Sequence, residues 1–145
     1  MTMATYYVNE ASFELPDTEV RDRTVNVIEL GGGAIPGLGL MVARADFPVG
    51  KSLREVVAAH MDHERRSLRS WSLVFEREGE ASGQPMIEVG TRWRGDDGMV
   101  YQRQAHIGLD DVVLLLVGNG PLEERERIDA HVDLALSTLR LRGGV

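Results

Sequence analysis

The chain has no cysteine in its 145 residues. That excludes disulfide staples, thiol catalysis and cysteine-ligated metal, and it suits a reducing compartment. Lysine occurs once, at Lys51, and the 16 basic residues are outnumbered by 23 acidic ones, for a formal net charge of −7. A basic face able to neutralise phosphates is therefore not expected, and neither is a nucleic-acid partner. Long hydrophobic runs are missing too. The longest, residues 112–117, falls far short of the roughly 20 residues that cross a bilayer. The first ten residues lack the cationic start and apolar stretch of a secretory signal. These absences predict a cytoplasmic protein with no direct membrane insertion.

What is present is globular. Hydrophobic residues make up 43% and charged residues 27% of the chain, a balance that buries a core and folds as one domain over residues 1–145.

Residues 6–15 alternate loosely and end at Pro16-Asp17, a turn signal. Residues 24–30 are rich in β-formers and stop at Gly31-Gly32-Gly33, and residues 38–47 form a third strand ended by Pro48. Together they predict an antiparallel meander. Val25 and Val27 point one way and Ile28 and Leu30 the other, so this part of the sheet is apolar on both faces and is expected to be covered on both. Ser52 and Glu55 have capping-box spacing. Leu53, Val56, Val57, Met61 and Leu68 then recur at helical spacing to about residue 69. Residues 71–77, 85–94, 99–109 and 112–118 follow as strands, with Asp96-Asp97-Gly98 as a hairpin turn. Pro121 predicts the start of a last helix, with Glu123, Glu124 and Glu126 where the helix dipole favours acids. Ile128, Val132, Ala135 and Leu139 form its apolar stripe. The order βββ-α-ββββ-α predicts an α+β fold, an antiparallel sheet of about six to seven strands with two main helices.

Few residues invite chemistry. The glycine-rich run 31–39 fits neither the dinucleotide nor the P-loop pattern, and a strand rather than a helix follows it, so it reads as a hairpin loop. His60 and Glu64 share a helix face at i, i+4, but His63 points elsewhere and the segment is not His-Glu-x-x-His. No metal is expected from so incomplete a ligand set. His106 and His131 add no metal spacing. No nucleophile constellation occurs, so no enzymatic activity and no cofactor are expected. Two oddities remain. His60 and Glu64 fall within the apolar stripe of their helix, together with Leu68, and either pair with each other or line a groove. Val100, Gln102, Gln104 and His106 share one face of a strand, with Tyr101, Arg103, Ala105 and Ile107 on the other. The two glutamines mark either a solvated face or a concave surface offering amides to a guest.

The segments Tyr7-Val8-Asn9-Glu10-Ala11-Ser12-Phe13-Glu14-Leu15-Pro16-Asp17 and Arg23-Thr24-Val25-Asn26-Val27-Ile28 resemble the start of DcrB-like domains. Thr91-Arg92-Trp93-Arg94 and Val100-Tyr101-Gln102-Arg103-Gln104-Ala105 resemble the central hairpin of Eag-type chaperones of type VI secretion effectors. The resemblance covers nearly the whole chain. It implies a PsbP-like fold with a strongly curved sheet, a homodimer, and no enzymatic activity. It also implies a partner: the N-terminal transmembrane region of a secreted Rhs- or PAAR-type effector, held until loading on the secretion spike. By position, the groove would comprise Val25, Val27, His60, Glu64, Leu68, Val100 and Gln104, with Gln102 on the same face. The family tends to have an amide at the position of His60 and a small residue at that of Glu64, so this helix makes a different contribution or meets a different client. A small-molecule or lipid-binding domain using the same apolar groove is the alternative.

Overall fold

A computed structural model describes residues 3–7, 12–16 and 24–141. Strands β1 (Met3–Tyr7) and β2 (Ser12–Pro16) pair with each other in a separate two-stranded sheet. The main sheet has six strands in the order β3-β4-β8-β7-β6-β5, every pairing antiparallel. Its strands are β3 (Asn26–Glu29), β4 (Gly39–Asp46), β5 (Ser72–Ala81), β6 (Gln84–Gly95), β7 (Gly98–Gly108) and β8 (Val112–Pro121). Helix α1 (Leu53–Ser67) lies between β4 and β5 in sequence, and α2 (Arg125–Thr138) closes the described chain. The fold is α+β, as the sequence predicts.

Local chemistry sets these elements. Ser52 caps α1 in a reciprocal box: its hydroxyl accepts from the Glu55 amide at 3.1 Å, and the Glu55 carboxylate accepts from the Ser52 amide at 3.2 Å. Two free helix-end donors are satisfied by that exchange. Asp96-Asp97 turns β6 into β7, with Gly98 at a φ of 132° that side-chain-bearing residues rarely adopt.

The helices cover opposite faces. On one face Leu53, Val57 and Met61 of α1 pack on Ile87, Val89 and Val113. On the other, Ile128 and Val132 of α2 pack with Tyr101 and Leu38, beside a cluster of Ala105, Ile107 and Leu116. Gly118 lets α2 approach, because a Cβ there would lie 2.5 Å from Val132 and 2.9 Å from Ile128.

Two expectations change. Residues 6–15 are not one strand of a meander: β1 and β2 pair with each other, and only β3 and β4 join the main sheet. Asn9 and Glu10, poor strand formers, interrupt the alternation between them in the sequence; residues 8–11 lie outside the described residues. The last helix begins later than Pro121, because Val100 and Tyr101 keep Pro121 and Gly120 in the sheet. A single 3-10 turn, Leu122–Glu124, then leads into α2.

Candidate functional site

The central strand β7 brings the predicted polar residues into one row. Opposed residues in an antiparallel pair share a face. Gln104 stands opposite Val89 and Val117, and Gln102 opposite Thr91 and Asn119. This is the α1 face, since Gln104 Nε2 donates to Glu64 Oε2 at 2.7 Å. His60 Nε2 lies 2.8 Å from the same carboxylate oxygen, and Trp71 Nε1 donates to the other at 3.2 Å. His60 and Glu64 therefore pair with each other, and Glu64 also anchors the strand.

That anchor fixes the sense of a longer chain. A carboxylate only accepts, so the Gln104 amide nitrogen must face it. The same nitrogen donates to Gln102 Oε1 at 2.6 Å, and Gln104 Oε1 is left for His106 Nε2 at 2.8 Å. His106 thus carries its proton on Nε2. Gln102 Nε2 donates onward to Asn119 Oδ1 at 3.2 Å, and Asn119 Nδ2 donates to the Gly37 carbonyl at 3.2 Å. One row of amides links α1 to the glycine-rich loop across the sheet.

Burial sets the electrostatics. Gln104 is 1% exposed, and its amide atoms are engaged by Glu64, Gln102 and His106. Burial alone would raise the Glu64 carboxyl; the hydrogen bonds from His60 and Gln104, the His60 charge and the Trp71 bond outweigh it and hold the group below its usual value. Burial, reinforced by the charge of neighbouring His60 and partly offset by Glu64, pushes the His106 imidazole down to about 4. The two imidazole rings meet edge to face, 5.5 Å between centroids.

Beyond α1 the same face is apolar and less covered. Val27 is opposite Met41, and Met41 is opposite Val117. Ala43 is opposite Leu115, which in turn faces His106. Val25 and Val27 are 52% and 74% exposed, while Met41, Ala43 and Leu115 are half-buried. Val100 and Gln102 are half-buried further along β7, and Leu68 is half-buried at the end of α1. Of the predicted site, His60, Glu64, Gln102 and Gln104 form one connected network, and Val27 shares their face on the apolar strip. Reading the sequence missed Trp71, Asn119, Met41 and Leu115. Asn119 stands in a strand whose neighbours are Gly118 and Gly120, an amide position of the same kind as Gln102.

The opposite face of β7 holds a network the sequence did not suggest. Arg103, 3% exposed, reaches Glu88 at 2.6 Å and Asp133 of α2 at 2.7 Å. Arg77 reaches the other Glu88 oxygen at 2.9 Å. Burial opposes the Arg103 charge, but Asp133 and Glu88 outweigh it and raise its pKa further. Tyr101 donates to Asp129 at 2.7 Å; burial and then that carboxylate push its pKa well up.

Among the described residues no cluster of three or more His, Asp or Glu has the arrangement of a metal site, and no helix is long and apolar enough to cross a membrane.

The profile of the DcrB family matches residues 10–138. The chain belongs to the DcrB family. The crystal structure of PA94 from Pseudomonas aeruginosa, a protein of unknown function, superposes with a TM-score of 0.83 at 19% identity, covering 97% of this chain and 98% of that one. The solution structure of the cyanobacterial PsbP protein CyanoP from Synechocystis sp. PCC 6803 gives 0.54 at 14% identity, covering 94% and 89%. LpqN of Mycobacterium tuberculosis, involved in cell envelope biogenesis, gives 0.58 at 9% identity, covering 81% and 80%. At these identities the likeness is one of fold, and this DcrB-family chain has the PsbP-like fold. No curated protein matches it in sequence.

Proposed function

We propose that this DcrB-family chain is a non-enzymatic cytoplasmic chaperone that, as a homodimer, shields the N-terminal transmembrane helices of a type VI secretion effector. The observation that carries the reading is the α1 face of the sheet, where a strip of Val27, Met41, Ala43 and Leu115 borders a fixed row of amides. A transmembrane helix in water exposes apolar surface worth about 25 cal/mol per Å². An apolar strip takes that surface out of water, and adjacent amides serve the polar side chains by which such helices pack. Gln102 gives one amide hydrogen to Asn119 and keeps its second for a guest acceptor. The resemblance of the central hairpin to Eag-type chaperones supplies the client class.

The test is co-expression with the N-terminal segment of an adjacent Rhs- or PAAR-type effector, followed by pull-down. Met41→Asp and Val27→Asp set a charge against the client and are expected to abolish capture, with circular dichroism unchanged. Capture at wild-type level by both folded variants contradicts the reading. Retention of lipid or a small molecule in place of the segment favours the ligand-binding alternative.

A further inference from the structure

The β1–β2 ribbon is amphipathic by register. Ala4 stands opposite Leu15 and Tyr6 opposite Phe13, while Thr5 is opposite Glu14 and Tyr7 opposite Ser12. Opposed residues share a face and neighbours along a strand alternate. The first four residues therefore belong to one face, without a polar or charged residue except the Tyr6 phenol, and Thr5, Tyr7, Ser12 and Glu14 belong to the other. A lone two-stranded ribbon is at best marginally stable in water. Its apolar face needs a surface to lie on.

The main sheet offers one. Helix α1 packs on β6 and β7, whereas at the β3 end of the same face Val25 and Val27 stay exposed. Along β4 that face carries Met41, Ala43 and Ala45, opposite Val117, Leu115 and Val113 of β8. The run from Met41 to Ala45 is four residue steps, about 14 Å, against about 17 Å for a five-residue strand of the ribbon. Ala43 and Ala45 are small, so the surface is shallow enough there to seat aromatic rings.

We infer that in the client-free chain the β1–β2 ribbon closes over this strip, laying its Ala4, Tyr6, Phe13 and Leu15 face on Val27, Met41 and Ala43 of the same chain. Connection selects this occupant. Nine residues, 17–25, join β2 to β3 and span up to about 30 Å. The cover needs far less: about 10 Å across from β3 to β8 and about 10 Å between packed sheets. A link this short holds the ribbon at an effective concentration on the order of mM. Charge agrees, because the strip and the ribbon's apolar face carry no ionised side chain, and Glu14 falls on the outer face. A client must then displace the ribbon to reach Val27 and Met41. As a regulation of the client site the inference rests on the function proposed above; the contact itself is tested without a client.

The test is paramagnetic broadening in the full chain. With no native cysteine, Thr5→Cys places a single nitroxide label on the outer face of the ribbon. The methyl signals of Met41 and Leu115 are expected to lose most of their intensity, while those of Ile128 and Val132 under α2 keep theirs. Adding Phe13→Asp, which sets a charge on the apolar face, is expected to restore the Met41 and Leu115 signals; adding Glu14→Lys is not. Met41 and Leu115 signals broadened no more than those of Ile128 and Val132 overturn the inference, whether or not the Phe13→Asp ribbon forms. So does broadening that survives Phe13→Asp. Mixing nitroxide-bearing chains with isotope-labelled chains that carry no nitroxide separates cis from trans: equal broadening in the mixture means that a second copy supplies the ribbon, and overturns closure within one chain. Since no client is present, an open strip here leaves client capture standing, and failed capture leaves the closed ribbon standing.

Discussion

Strand β7 carries a buried polar network on each face, and the two are made of different chemistry. Toward α2, Arg103, Glu88 and Asp133 are ionised groups that meet face to face and tie the helix to the sheet. Toward α1, one carboxylate orders a row of amides and an imidazole that borders a partly exposed apolar strip. Buried ion pairs are closed devices: every charge has its partner, and a guest adds nothing. A row of amides retains donor capacity at its margin. The difference accounts for the α2 face as a tie between helix and sheet and fits the proposal that the α1 face binds.

The comparison breaks most visibly at Arg103. Arg103→Ala leaves Glu88 buried with only Arg77 as a partner, while the exposed Asp133 turns to water, and is expected to destabilise the chain by about 3 kcal/mol, the lower end for breaking a buried pair. Urea denaturation reads this as a lower midpoint at unchanged slope. Arg103→Met combined with Glu88→Leu is expected to recover most of the loss.

Acid is expected to act on the α1 face. The folded His106 resists protonation down to about 4, against 6.5 in an open chain. Between those values the unfolded state binds more protons, so stability is complete above about pH 6.5 and falls as pH drops toward 4. The loss approaches about 3 kcal/mol, at 1.36 kcal/mol per pH unit. Glu64, also depressed, adds a further loss below its ordinary value of 4.5. His106→Gln should flatten the upper part of this profile, measured by denaturation from pH 7 to 4.

Removing the anchor has a smaller effect. Glu64→Ala deletes the acceptor shared by His60, Gln104 and Trp71 and is expected to cost about 2 kcal/mol, in the range for hydrogen bonds to charged groups. Glu64→Gln should cost less but free Gln104 to turn over, seen as doubled side-chain amide signals in NMR spectra. The smallest effect has the opposite sign. Thr91, fully buried opposite Gln102, has a hydroxyl with no hydrogen-bond partner among the described residues. Thr91→Val is expected to stabilise by about 1 kcal/mol, read as a raised thermal midpoint.

Much of this was legible in the sequence where the signal is local. The Ser52–Glu55 cap, the Asp96-Asp97 turn and the strand alternation each depend on neighbours within a few residues. The His60–Glu64 pair follows from helical spacing in the same way. What closes at long range was not legible. Gln104 meets Glu64 forty residues away, and alternation names a face without saying what covers it. Glu88 sits between Ile87 and Val89, Arg103 sits between two glutamines, and only the β6–β7 register brings the two charges to one face. Pro121 misled because a proline tolerated at a helix start is equally tolerated at the end of a strand.

The most direct test of the division between faces is a methyl-resolved NMR titration with the client's N-terminal segment. The account predicts that the methyl signals of Val27, Met41 and Leu115 shift on binding, while those of Ile128 and Val132 under α2 stay in place. Shifts centred on Ile128 and Val132, with Met41 and Leu115 unmoved, would contradict it.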